Sequence, residues 1–176
     1  MKMHYLTQTV LLLLMSLLSS LSVSAQGLEL GAAPPALTVT NDAGEAFDFG
    51  AVLKEGTAVV FFYPMASTPG CTKQACSLGD GWPELKSRGV QVYGVSGDGV
   101  ASQNKFKTKY SLPFPLIADK DLRLNKAFGK NRFARQAYIF HDGKLVWRDL
   151  SASTGRQFND IITALDSLGI AGKSKD

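Results

Sequence analysis

Residues 57–76 read TAVVFFYPMASTPGCTKQAC, from Thr57 to Cys76. The first seven, Thr57 to Tyr63, form an unbroken apolar run, the pattern of a strand buried on both faces. Thr68-Pro69 then signals a helix start: threonine suits the capping position and proline fits the first helical one. With Thr68 as the cap, Cys71 falls at the third helical position. A capping box places an acidic side chain there, because free amides and the helix dipole favour an anion. Here the anion would be a thiolate. A site directly after a buried strand also lies where α/β proteins commonly place their chemistry.

Cys76 follows five residues later. On an ideal helix this means about 7.5 Å of rise and about 140° of rotation, or Cα atoms roughly 8–9 Å apart. A disulfide needs less than about 7 Å, so the pair cannot bridge while the helix is intact. Gly79, Gly81 and Pro83 place Cys76 near the final turn, where a helix opens most easily. The spacing suits a switch better than a staple. Two competing readings are an ordinary buried cysteine at position 76 and a plain disulfide in non-helical local structure.

Outward from this segment, apolar runs alternate with helix-like stretches, as in an α/β domain. Ala36 to Thr40 and Phe47 to Phe49 suggest a hairpin around Asn41-Asp42-Ala43-Gly44. Gln91 to Ser96 and Phe114 to Ala118 read as strands. Ala137 to Phe140 and Lys144 to Trp147 read as a second hairpin, turning at His141-Asp142-Gly143. Helical periodicity marks Val100 to Tyr110, Leu122 to Phe128 and Gln157 to Leu168. The last puts Phe158, Ile161, Ile162, Leu165 and Leu168 on one face.

The N-terminus differs in kind. Lys2 and His4 precede the uncharged run VLLLLMSLLSSL at Val10 to Leu21, followed by Val23-Ser24-Ala25. This is the order of a secretory signal peptide cut after Ala25, and the dense apolar block is too short for a membrane anchor. Residues 1–25 are thus expected to be a signal peptide and 26–176 one domain, periplasmic or secreted and without stable membrane contact. Residues 26–176 carry 18 Lys and Arg against 15 Asp and Glu. Residues 105–156 hold twelve basic and four acidic residues, and no nucleic-acid motif accompanies them. The tail from Ala171 reads as frayed.

FFYPMASTPGCTKQAC resembles the active-site segment of the peroxiredoxins, and the second cysteine five residues on resembles their Q-type branch, the bacterioferritin comigratory proteins. VYGVSGDGVASQNKFKTKYSLPFPLIAD and ARQAYIFHDGKLVW extend the likeness over most of the chain. The resemblance implies a thioredoxin-like fold, a central mixed β-sheet flanked by helices, and thiol peroxidase activity. It implies Cys71 as peroxidatic nucleophile, Thr68 and Arg135 as activating partners, Pro64 as a shield and Cys76 as resolving cysteine. Peroxide would be the substrate and a thioredoxin-like or other dithiol the reductant. No cofactor is implied, and an intramolecular resolving cysteine fits a monomer. Met65-Ala66-Ser67 lacks the lysine often found there, and Gln136-Ala137 replaces small hydroxylated residues after the arginine.

Two other functions compete. A thiol–disulfide oxidoreductase normally uses Cys-x-x-Cys, absent here. A copper-binding thioredoxin-like protein would need Cys71, Cys76 and His141, the sole histidine after residue 25, to converge. Gly94 to Gly99 (GVSGDG) reads as a tight strand-to-helix turn with Asp98 capping the next helix. His141 reads as a surface turn residue. Trp82 and Trp147 read as packing residues.

Overall fold

The computed structural model describes residues 27–170; the expected signal peptide and the tail from Ala171 lie outside them. Among the described residues, seven strands and six helices follow one another as β1 (Thr38–Thr40), β2 (Ala46–Asp48), α1 (Phe49–Val52), β3 (Thr57–Phe62), α2 (Pro69–Asp80), α3 (Trp82–Ser87), β4 (Val90–Ser96), α4 (Val100–Tyr110), β5 (Leu116–Ala118), α5 (Arg123–Ala127), β6 (Gln136–His141), β7 (Lys144–Asp149) and α6 (Gln157–Ser167). β1 and β2 pair as a small hairpin. The other five strands form one mixed sheet in the order β5-β4-β3-β6-β7. β3 runs parallel to β4 and antiparallel to β6.

The apolar run at 57–63 is central for a physical reason. All six residues of β3 are buried, and alternate side chains enter opposite layers. Val59, Phe61 and Tyr63 join the core that includes Cys71, Ala75 and Leu78 of α2 with Ile161 and Leu165 of α6. Ala58, Val60 and Phe62 join Phe49, Leu53, Leu124 and Phe128 on the far side. A strand covered on both faces is apolar except where a polar side chain has a partner, as Thr57 does at its start.

Several boundaries differ from the expectation. β5 begins only at Leu116, and α5 is shorter than Leu122–Phe128. In α6, Ile161 and Leu165 are buried while Leu168 is 40% exposed, because the helix ends at Ser167. His141 is the last residue of β6 rather than part of the turn, and its Nδ1 lies 2.8 Å from Thr57 Oγ1. Trp82 and Trp147 pack against the core, as expected.

The cysteine helix ends at Asp80 with Gly81 as its C-cap, so Cys76 lies near the final turn as expected. Gly79 stays within α2, with Leu112 and Pro113 side chains 3.6–3.7 Å from where a Cβ would sit. Pro83 is the second residue of α3, in the first turn where its missing N–H costs nothing.

Candidate active site

The register of β3 and β6 assembles the site. Phe62 pairs with Gln136, so Arg135 lies beside the carboxyl end of β3, where the cysteine segment departs. Pro64 follows the strand, half-buried. Thr68 takes the extended conformation of a capping residue with Pro69 behind it, and α2 begins as expected. Its hydroxyl, however, does not cap the helix. It donates to Met65 O at 3.0 Å, because the turn before it folds the side chain back. Ser67 in that turn has φ +61°, a left-handed conformation that costs a serine energy.

Cys71 is buried, at 1% exposure, and its Sγ accepts a 3.6 Å contact from Arg135 Nη2. The guanidinium is a permanently charged, multidentate donor, suited to hold a thiolate and a developing oxyanion together. Cys76, half-buried and reduced like Cys71, lies in the same unbroken helix. Burial first, and the charge of Asp80 second, push its thiol above the ordinary value of 9.0.

Sequence reasoning missed the partners behind Arg135. Its Nη1 donates to Gln74 Oε1, and Gln74 Nε2 donates to Gln157 Oε1 at 2.8 Å. Both glutamines are fully buried, and Gln157 opens α6. Ser77 adds a second tie between the helices, its Oγ accepting from Phe158 N–H at 3.1 Å. Gly70 lets the guanidinium approach, since a Cβ there would lie 3.3 Å from Arg135 Nη2. The loop bearing Arg135 is anchored at its start by Lys130, whose Nζ donates to Asn125 Oδ1 at 2.7 Å. Burial pulls the Lys130 ammonium down to about 8, with Asp119 opposing.

Asp98 does not cap α4 as expected. Gly99 holds the capping position, and the Asp98 carboxylate turns toward the cysteine segment, accepting from Ala66 N–H at 2.8 Å. His141 contacts the first residue of β3, whereas the cysteines follow its last. The copper-site trio is therefore not brought together.

The site is thus a buried thiol facing a guanidinium at the end of the central strand of a mixed sheet. Residues 30–148 match the AhpC/TSA family, and the chain belongs to it. It is 41% identical over 113 residues to a bcp-type peroxiredoxin of Coxiella burnetii, covering 62% of this chain and 74% of that one. It is 42% identical over 99 residues to a chloroplastic peroxiredoxin Q of Oryza sativa subsp. japonica, covering 56% and 45%. The aligned stretch thus spans about half the length of the plant relative.

Among solved structures, the Xanthomonas campestris bacterioferritin comigratory protein, described for alkyl peroxide reduction, superposes with TM-score 0.72 at 27% identity, covering 80% of this chain and 97% of that one. The peroxidoxin BcpB of Mycobacterium tuberculosis gives 0.73 at 26%, covering 80% and 98%. The fold is thioredoxin-like, and the likeness lies with the Q/BCP branch, thiol-dependent peroxidases that work through an intramolecular disulfide.

Proposed function

We propose that this chain reduces hydrogen peroxide and small organic hydroperoxides outside the cytoplasm, with Cys71 as the attacking thiol and Cys76 as the resolving one. The observation that carries the reading is the Arg135 Nη2 to Cys71 Sγ contact at 3.6 Å, within a helix that also holds Cys76. The Cys71 thiolate attacks one peroxide oxygen, the O–O bond breaks, and hydroxide or alkoxide leaves with the electron pair. Arg135 stabilises that charge. Thr68 directs its proton to Met65 O, which leaves its oxygen free to accept from the peroxide O–H and orient it. Pro64 shields the pocket.

Cys71 is then a sulfenic acid. Unwinding of α2 brings Cys76 to it, a disulfide forms, and water leaves. A thioredoxin-like or other dithiol of the same compartment restores both thiols and is itself oxidised. A monomer suffices, because both cysteines belong to one helix. The export reading rests on the residue order at 1–25. It is tested by the intact mass of the protein recovered from the producing cell, which should correspond to a chain beginning at Gln26.

The residue roles are tested with Cys76→Ser. Reduced variant should consume one equivalent of peroxide and stop as a sulfenic acid that dimedone traps on Cys71. Peroxide consumed with no dimedone adduct on Cys71, the one cysteine left, contradicts the assignment.

A further inference from the structure

We propose that Asp98 is a positioning residue for the peroxide reaction, its carboxylate clamping the Met65–Ser67 turn that presents Thr68 one helical turn from Cys71. The inference rests on the roles proposed above for Thr68 and Cys71. Its support is a set of contacts across 32 residues of sequence. Asp98 Oδ2 accepts from Ala66 N–H at 2.8 Å and from Ser96 Oγ–H at 2.7 Å. Ser96 Oγ in turn accepts from Gln103 Nε2 at 2.9 Å, which also reaches Ile117 O at 2.8 Å. Gln103 Oε1 accepts from the Tyr63 hydroxyl at 2.5 Å. Tyr63, Ser96 and Gln103 are all buried, between 0 and 1% exposed.

The network therefore grips the cysteine segment at two points. Tyr63 is held where the segment leaves β3, and Ala66 is held three residues on. Burial pushes the Tyr63 phenol far above its ordinary range, so its hydroxyl stays a donor. Asp98 itself is aimed from below by Ser96, on the rigid end of β4.

What the clamp holds is a strained conformation. Ser67 follows Ala66 directly and sits at φ +61°. A non-glycine residue keeps such a backbone only where its surroundings impose it. Without the Ala66 anchor, Ser67 relaxes toward negative φ, which moves Met65 O away from Thr68 and releases the threonine hydroxyl from its 3.0 Å bond. A freed hydroxyl rotates, and its lone pairs no longer point at a fixed place. The carboxylate thus acts on the reaction through a backbone amide and a threonine, without touching peroxide.

The test uses the full chain with hydrogen peroxide, reading the second-order rate constant of Cys71 oxidation and the hydrogen exchange of the Ala66 amide. Asp98→Ala should accelerate Ala66 exchange and lower the rate constant about tenfold, as expected for a lost hydrogen bond to a charged group. Asp98→Asn keeps a carbonyl oxygen at the accepting position and should stay within about threefold of the parent. Adding Ser67→Gly to Asp98→Ala should recover most of the loss, because glycine adopts positive φ unaided. A merely structural role for Asp98 would give no such recovery. Should Asp98→Ala not fold, Ser96→Ala removes the group that aims the carboxylate and should lower the rate in the same direction by about threefold.

The proposal is overturned by a folded Asp98→Ala that oxidises at the parent rate, by an Asp98→Asn as slow as Asp98→Ala, or by unchanged Ala66 exchange. Ala66 exchange involves no peroxide chemistry. A parent protein that ignores peroxide would therefore refute the thiol assignment separately from the clamp.

Discussion

Replacing Gln74 by alanine separates the two halves of the catalytic cycle. Gln74 lies between the two cysteines on α2, accepting from Arg135 and donating to Gln157 at 2.8 Å. Both bonds exist only while the helix is intact. The bond from the guanidinium is charge-assisted and contributes about 1.5–3 kcal/mol; the amide–amide bond contributes about 0.5–1.5 kcal/mol. Among the described residues Gln157 Nε2 has no partner, so the change leaves that buried amide without its Gln74 bond as well. Alanine's better helix propensity returns only about 0.4 kcal/mol. The intact helix is then less stable against unwinding by about 2–4 kcal/mol, so the opened state becomes about 30- to 900-fold more populated.

Disulfide formation should accelerate within that bound. Attack on peroxide should slow about tenfold, because Arg135 loses the acceptor that fixes it beside Cys71. Rapid-quench mass spectrometry across a peroxide series resolves both effects: slower loss of the first thiol, and a higher peroxide concentration for half-conversion of Cys71 to sulfinic acid. Sulfinic acid forming at the same or lower peroxide concentration than in the parent would refute the reasoning.

Three further outcomes follow from the same contacts. Oxidation by one equivalent of peroxide should raise hydrogen exchange at the Phe158 amide, since Ser77 Oγ accepts its N–H at 3.1 Å only while α2 is helical; unchanged protection would contradict the coupling of α2 to α6. The Cys76 thiol, raised above 9.0 by burial and by Asp80, is neutral in the fold at pH values where the unfolded chain already ionises. That stabilisation is complete below about pH 9 and is lost as pH climbs through the raised value, so the denaturant midpoint of reduced protein should fall there and Cys76→Ala should flatten the fall. Gly81→Ala would drive a Cβ to 2.0–2.4 Å from the Phe158 ring, and calorimetry should show a loss of about 1–3 kcal/mol.

Much of this site was legible in residues 57–76, because local signals act locally. A short apolar run rich in valine and aromatic residues reads as a strand covered twice, and Thr-Pro marks a helix start. Arg135 was legible only by resemblance, since the β3–β6 register that brings it to Cys71 is a long-range fact. Gln74 and Gln157 escaped notice because glutamine is an ordinary helix residue, and 83 positions separate the pair. Asp98 was misread for the opposite reason. A capping signal is local, and here a tertiary donor, the Ala66 amide, outcompeted the helix next to it. The helix-ending signal after Cys76 held at Gly81, which caps α2, whereas Gly79 stays helical under Leu112 and Pro113 and α3 absorbs Pro83.

The central claim is that two thiols in one helix form a peroxide-driven pair. Its most direct measurement is peptide mapping of reduced protein after one equivalent of hydrogen peroxide, under non-reducing conditions. The account predicts loss of both thiols and a single intramolecular Cys71–Cys76 bridge, with Cys71→Ser leaving the peroxide unconsumed. Peroxide consumed by Cys71→Ser at the parent rate would contradict it.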